Sequence, residues 1–255
     1  MGTTRFSGPV MYSGNGSGNK WFENLPVGIN PDYVCYYDDF TGIDIDDTDD
    51  WTKSVLNSGT VTMLADHVGG WAKIAGDGST DNSGGSLQGN EIWMAQANKN
   101  IYFEASVAMS KPADSDLFVG LAENGTLATG VPFLANNQIG FIVVEGAGRI
   151  YGNVDSAGSD TAFDTEIDMV AAAESGSLIT NSRRLGFIAR GTGQVEWFVD
   201  RNKIGVTTTN IPTVAMTQFF AGISGSTAAD AHYCDYIWAV QQRTTDGMTQ
   251  FGTQP

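Results

Sequence analysis

Along most of this chain, apolar residues recur at every second position rather than at every third or fourth. The segment IYFEASVAM sets Ile101, Phe103, Ala105, Val107 and Met109 on one side and Tyr102, Glu104 and Ser106 on the other. Alternation of that length predicts a half-buried β-strand. LFVGLAE repeats it with Leu117, Val119 and Leu121. IGFIVVEGAGRIYGNV reads as strand, glycine-containing turn, strand. RRLGFIARGTGQVEWFVDRNKIG reads as two strands joined at GTG, with a tight turn at Asp200-Arg201-Asn202-Lys203 into a third. TQFFAGIS and HYCDYIWAVQQ close the series. The best helical candidate is EIDMVAAAE at 166–174, one short helix at most. Many strands, Gly-rich turns and almost no helix predict an all-β fold, a two-sheet antiparallel jelly-roll sandwich.

The alternation begins near residue 34. Residues 1–33 read as an extended N-terminal arm, with the flexible stretch YSGNGSGNK at 12–20 between FSGPV and LPVGINP. Its apolar residues Phe6, Val10, Trp21, Phe22 and Leu25 are the expected partner contacts, because a free linker has no need of them. Residues 34–243 form the sandwich, and 244–255 are a polar C-terminal tail.

Composition narrows the partners. The chain has 255 residues, enough for one large β core. Only 16% are charged, so the surface must be built largely from Ser, Thr, Asn, Gln and Gly. The net charge is −16, from 13 Lys and Arg against 29 Asp and Glu. Phosphate contacts need the opposite sign, so no nucleic acid and no anionic membrane is expected as a partner. No signal-peptide core or membrane-length apolar run is visible, and folding in the cytosol is expected. With His67 and His232 as the only histidines, a three-His metal site is excluded. Cys35 and Cys234 alone make no zinc cluster.

The order of landmarks resembles the concanavalin A-like lectin/glucanase sandwich, including its laminin-G-like branch. The resemblance covers residues 34–243. It rests on the opening CYYDDF, the acidic loop and Trp51, the segment GGWAKIAGDG, the strand Phe103-Glu104-Ala105-Ser106-Val107, and the pair LGFIARGTGQVEWFVDRNKIG and FFAGIS…CDYIWAVQQ. It implies that the last strand pairs with the first. Cys35 and Cys234 would then lie on neighbouring strands, and free thiols are expected rather than a bridge. The arm TRFSGPVMYSG is similar to the starts of tailed-phage structural proteins.

Glucanases of that fold carry E-[IL]-D-x-(x)-E, because retaining hydrolysis needs two carboxyls about 5 Å apart. Here Glu166-Ile167-Asp168-Met169 opens such a motif, but Val170 and Ala171 stand where the second Glu belongs, and Glu174 lies too far along. Asp44, Asp46 and Asp47 offer a weak calcium site. They do not make an EF-hand loop, since counting from Asp44 puts Asp49 at the glycine position and Val55 at the final glutamate. A solvated loop is the alternative for that run, and a strand end the reading of YYDDF. Trp51, Trp71 and Trp93, in or near loops, are the candidates for glycan contact, whereas Trp197 and Trp238 read as core.

With no catalytic pair in view, the expected function is that of a non-enzymatic phage virion protein. It would be a capsid decoration or knob protein, assembled in the host cytoplasm and anchored by its arm to the major capsid protein or another virion protein. It would be a homo-oligomer and need no cofactor. The alternatives are a carbohydrate-binding module on host glycans and, third, a divergent glucanase.

Overall fold

The computed structural model describes residues 10–12, 25–27, 33–41, 45, 51–64, 69–124, 137–146, 148–225 and 230–243. The strands are β1 (Val10–Tyr12), β2 (Leu25–Val27), β3 (Tyr33–Asp38), β4 (Thr52–Leu56), β5 (Thr60–Met63), β6 (Ala72–Ala75), β7 (Gly84–Gln88), β8 (Asn100–Met109) and β9 (Ser115–Ala122). They continue with β10 (Asn137–Val143), β11 (Arg149–Ser156), β12 (Ser159–Asp168), β13 (Arg183–Arg190), β14 (Gln194–Val199), β15 (Asn202–Thr207), β16 (Thr217–Ser224) and β17 (Ala231–Gln242). Among the described residues the one helix is α1 (Leu178–Asn181).

β1 and β2 pair with each other in the N-terminal segment. The rest forms two antiparallel sheets. The seven-stranded sheet runs β12-β11-β10-β9-β16-β7-β4. The eight-stranded sheet runs β15-β14-β13-β8-β17-β6-β5, with β3 also paired to β17. This is the two-sheet sandwich that the alternation demanded.

The faces follow from period two. Ile101, Phe103, Ala105, Val107 and Met109 of β8 point inward and meet Leu117, Val119 and Leu121 of β9, Ile139, Phe141 and Val143 of β10, and Trp197 of β14 in one core cluster. Phe141 and Phe187 each set an edge against the Trp197 ring, with centroids 5.1 and 6.0 Å apart. The hairpin turns have the backbone that the strand twist favours: Ala157 and Gly158 both have positive φ (54° and 81°), as do Asp200 and Arg201 (49° and 66°). The tight turn expected at Asp200 is therefore present. Asp200 also accepts the backbone N–H of Arg184 and pairs with Arg183.

β17 pairs with β3 from Ile237 to Gln242, so the terminal strands of the sandwich do lie side by side. The stretch 166–174 is not a helix. Glu166, Ile167 and Asp168 end β12, and the helical turn comes later, at α1. Glu166 has φ of 59° where the ladder between β11 and β12 loses register, so a local bulge breaks the alternation there.

Bulky inward rings are matched by glycines on the opposite sheet. A Cβ on Gly222 would lie 2.2 Å from the His232 ring, and one on Gly152 would lie 2.6 Å from the Trp197 indole. His232 is fully buried, and burial pulls its pKa down to about 4, so the imidazole is neutral at pH 7. Gly222→Ala should destabilise the fold by about 1–3 kcal/mol through overpacking. Urea unfolding checks this, and an unchanged midpoint would show that the ring is free to move aside.

Candidate functional site

The opening YYDDF is a structural latch. The Trp51 indole N–H donates to Asp38 Oδ2 at 2.6 Å, and the Phe40 backbone N–H donates to Asp38 Oδ1 at 2.8 Å. The Tyr36 and Phe40 rings pack on Trp51 at 5.9 and 5.7 Å. Asp38 thus serves the turn that ends β3, as a strand end should.

Trp51, Trp71 and Trp93 are all buried, at 3%, 1% and 0% exposure, so as placed they offer no ring face to a sugar. Trp93 donates to Gln218 Oε1 at 2.9 Å inside the core. Trp197 is core as expected, whereas Trp238 lies half-buried on the outward face of the eight-stranded sheet. Asp44, Asp46 and Asp47 lie outside the described residues, as do Phe6, Trp21 and Phe22. Val10 and Leu25 sit in the β1–β2 ribbon. Among the described residues no His, Cys, Asp and Glu group is arranged to hold a metal.

Both cysteines are free. Cys35 is opposite Val240 and faces outward, whereas Cys234 is opposite Val107 and Ala72 and points into the core. Neighbouring strands therefore bring no bridge, because the side chains leave opposite faces of the sheet. Burial pushes the Cys234 thiol well up, so a thiol reagent should modify Cys35 in the native protein and Cys234 only after unfolding. Two equivalents of rapid labelling under native conditions would refute that placement.

The Glu166-Ile167-Asp168 motif is not a catalytic strand. β12 is the edge of the seven-stranded sheet, Ile167 packs on the core, and Asp168 is held by Arg149 at 2.6 Å. The chemistry on that sheet lies elsewhere, on its outward face. One row of Cα partners crosses five strands there as Asp160, Asp155, Gln138, Ala122 and Thr217. The adjacent row carries Asn153, Gly140, Gly120 and Phe219. Beyond it, Phe118 and Phe219 meet edge to face at 5.7 Å in a second apolar cluster with Ile142, Ala221 and Ile223. The face is therefore polar towards the β11–β12 hairpin and aromatic beside it.

Four polar side chains of these rows are buried: Gln138 at 2%, Asn153 at 3%, Asp155 at 3% and Thr217 at 0% exposure. Gln138 donates through Nε2 to Asn153 Oδ1 at 2.7 Å, and its own Oε1 is buried without a hydrogen-bond partner. Buried polar atoms in folded proteins are nearly always bonded, so this acceptor calls for an explanation. Asp155 accepts the Gly158 backbone N–H at 2.9 Å. Its carboxyl is nonetheless raised above the usual aspartate range, first by burial and then by the charge of Asp160. Asp155 and Asp160 are opposite each other in register, the one such carboxylate pair among the described strands. Directly opposed side chains hold their Cβ atoms about 4.5–5.5 Å apart, and like charges so placed are destabilising.

Asp235, on the other sheet, is a structural acid. Asp235 is raised to about 6, chiefly by burial. It occupies a bulge in β17, beside Arg184 and the Ser106 hydroxyl. Its folded value lies above the unfolded one, so its contribution to stability is present below about pH 4 and lost as pH rises through 6. Asp235→Asn should then be more stable than the native protein at pH 7 by about 2 kcal/mol, a gap that closes towards pH 4. Thermal melts at both pH values check this, and a gap independent of pH would contradict it.

Solved structures place the architecture. The chain is similar to a Bacillus licheniformis β-glucanase, with TM-score 0.54 and 12% identity over 80% of this chain and 97% of that one. It is also similar to a Bacteroides ovatus GH16 enzyme from a mixed-linkage glucan locus, solved in complex with product, at TM-score 0.57 and 12% identity over 80% and 99% of the two chains. The catalytic domain of a Thermotoga petrophila endo-1,3-β-glucanase (laminarinase) gives TM-score 0.55 and 12% identity over 84% and 99%. At this identity the likeness establishes the fold. No protein-family model matches the chain, and no curated protein does. The concanavalin A-like jelly roll is therefore confirmed. The expectation of a non-enzymatic phage decoration protein is overturned, because the similar solved structures named above are GH16-type glucanases and none is a virion protein.

Proposed function

We propose that this chain is a divergent glucanase whose carboxyl pair is Asp155 and Asp160. The observation that carries the reading is their opposition across the β11–β12 hairpin, on the outward face of the seven-stranded sheet. Opposed strand residues hold their Cβ atoms about 4.5–5.5 Å apart, which keeps the two carboxyls within reach of the roughly 5–5.5 Å separation of a retaining pair. The environments differ as the two roles require. Asp155 is buried and has a raised pKa, which suits a proton donor, while Asp160 is exposed.

In this mechanism Asp160 attacks the anomeric carbon as Asp155 gives its proton to the departing glycosidic oxygen. The glycosyl–aspartate ester is then opened by water, which loses a proton to Asp155. Gln138 holds Asn153 Oδ1 through its Nε2 and so stiffens the strands that carry Asp155. A mixed-linkage or β-1,3-linked glucan, the polymers of the similar enzymes, is the substrate class this reading takes.

Reducing-sugar release from mixed-linkage β-glucan and laminarin tests the proposal. Asp155→Asn and Asp160→Asn should each lower it by about 10²-fold or more, the usual contribution of such a group. Azide should restore turnover to Asp160→Ala and give a glycosyl azide of inverted configuration, a signature that a merely structural aspartate does not produce. No release by the native protein, or full activity in both Asn variants, would sink the assignment.

A further inference from the structure

The other sheet has an outward face of a different kind. On β3, β17 and β8 it presents Tyr37, Tyr236, Trp238, Tyr102 and Glu104. Tyr37, Trp238 and Glu104 are Cα partners in one row, and Tyr102 is opposite Val240 in the next. Tyr37 is 59% exposed, the largest exposure of any aromatic residue described. Its ring lies 6.2 Å from that of Tyr236, tilted by 32°. Trp238 and Tyr102 are half-buried and pack beside Ile188, Phe198 and Val240 on the same face. The rings are thus held by their neighbours on the sheet.

Two acids of this face are paired. Glu104, 2% exposed, accepts from the Tyr236 hydroxyl at 2.5 Å and from the Arg201 guanidinium at 3.2 and 3.3 Å. Glu196 nearby is paired with both Arg190 and Lys203. Beside Tyr37 the charges of Asp39, Asp235 and Asp38 act on the ring hydroxyl, so the charge left on this face is negative and repels an anionic ligand. The chain as a whole carries −16, which opposes both a polyanion and a second copy of itself. What remains is ring faces beside fixed hydrogen-bonding groups. That matches a neutral pyranose chain, whose C–H faces stack on aromatics and whose hydroxyl rim bonds to polar side chains.

We propose that the strip Tyr37–Trp238–Tyr102, bordered by Glu104 and Arg201, is a second glycan-holding site on the opposite side of the sandwich from the Asp155–Asp160 pair. It takes a linear neutral polysaccharide and keeps the chain tethered without cleaving it. The polymer class rests on the glucanase reading above, but the site itself does not. Retention on aromatic faces requires no catalysis.

Affinity electrophoresis through gels containing mixed-linkage β-glucan separates the two ideas. The Asp160→Asn protein should be retarded as strongly as the native one. Tyr37→Ala should weaken retardation about tenfold, the scale of one aromatic contact. It should leave cleavage of a short soluble oligosaccharide unchanged. Trp238→Phe, with far-UV circular dichroism to confirm folding, should weaken it in the same direction. If Tyr37→Ala and Trp238→Phe both migrate like the native protein, or the native protein is not retarded at all, the second site is refuted whatever the fate of the hydrolytic pair. A dimer in sedimentation that Tyr37→Ala dissolves would assign the face to another copy of the chain and refute it equally. Retardation that depends on Tyr37 in a protein with no hydrolytic activity would uphold the site and reject the glucanase assignment alone.

Discussion

The eight-stranded sheet is held through β17, which is bonded along both edges. On one side it follows β8 for nearly its whole length. On the other it bonds β6 from Ala231 to Cys234 and then β3 from Ile237 to Gln242. The change of partner occurs at a bulge, with Asp235 as the extra residue. The extra residue also resets the alternation, so that His232, Cys234 and Ile237 face the core while Tyr236 and Trp238 face outward. A half-buried aspartate near Asp39 and Arg184 is the electrostatic cost of that change.

The two sheets fit by pairing large rings with missing side chains. His232 lies against Gly222, Trp197 against Gly152, and Phe163 against Gly205. These contacts set the local separation of the layers and leave both outward faces to chemistry. One outward face gathers buried amides and a pair of opposed carboxyls. The other gathers aromatic rings over balanced ion pairs. Neither face is dictated by the core, because residues at alternate positions vary without disturbing the inward pattern.

Much of the fold was legible in the sequence because the buried strands alternate strictly. β8, β9, β13 and β14 declare their inward residues one by one, and the β3–β17 pairing followed from the family resemblance. β12 was not legible. It is an edge strand with a polar sequence, SDTAFDTEID, whose bulge at Glu166 breaks the period, so it read as loop or helix. The buried tryptophans misled for a related reason. Trp51 and Trp93 sit among polar neighbours in sequence, and their burial depends on distant acceptors, Asp38 and Gln218. The Asp155–Asp160 pair was hidden too, since two aspartates around Ser-Ala-Gly-Ser look like turn residues, and only the hairpin register reveals that they are opposed. The virion reading rested on surface composition and a short arm, which carry no information about what the sheet faces hold.

The ladder between Cys35 and Val240 joins residues about two hundred positions apart. While a nascent chain is still emerging from the ribosome, β3 and β6 have no central strand to bond, and β8 exposes one of its edges. The larger sheet is completed only when the final strand is released, so such long-range closure should be slow and should pass through species with unpaired edges. A chain stopped before Ala231 would lack one strand but leave three ladders open, on β3, β6 and β8, to whatever chaperone or neighbouring polypeptide reached it first.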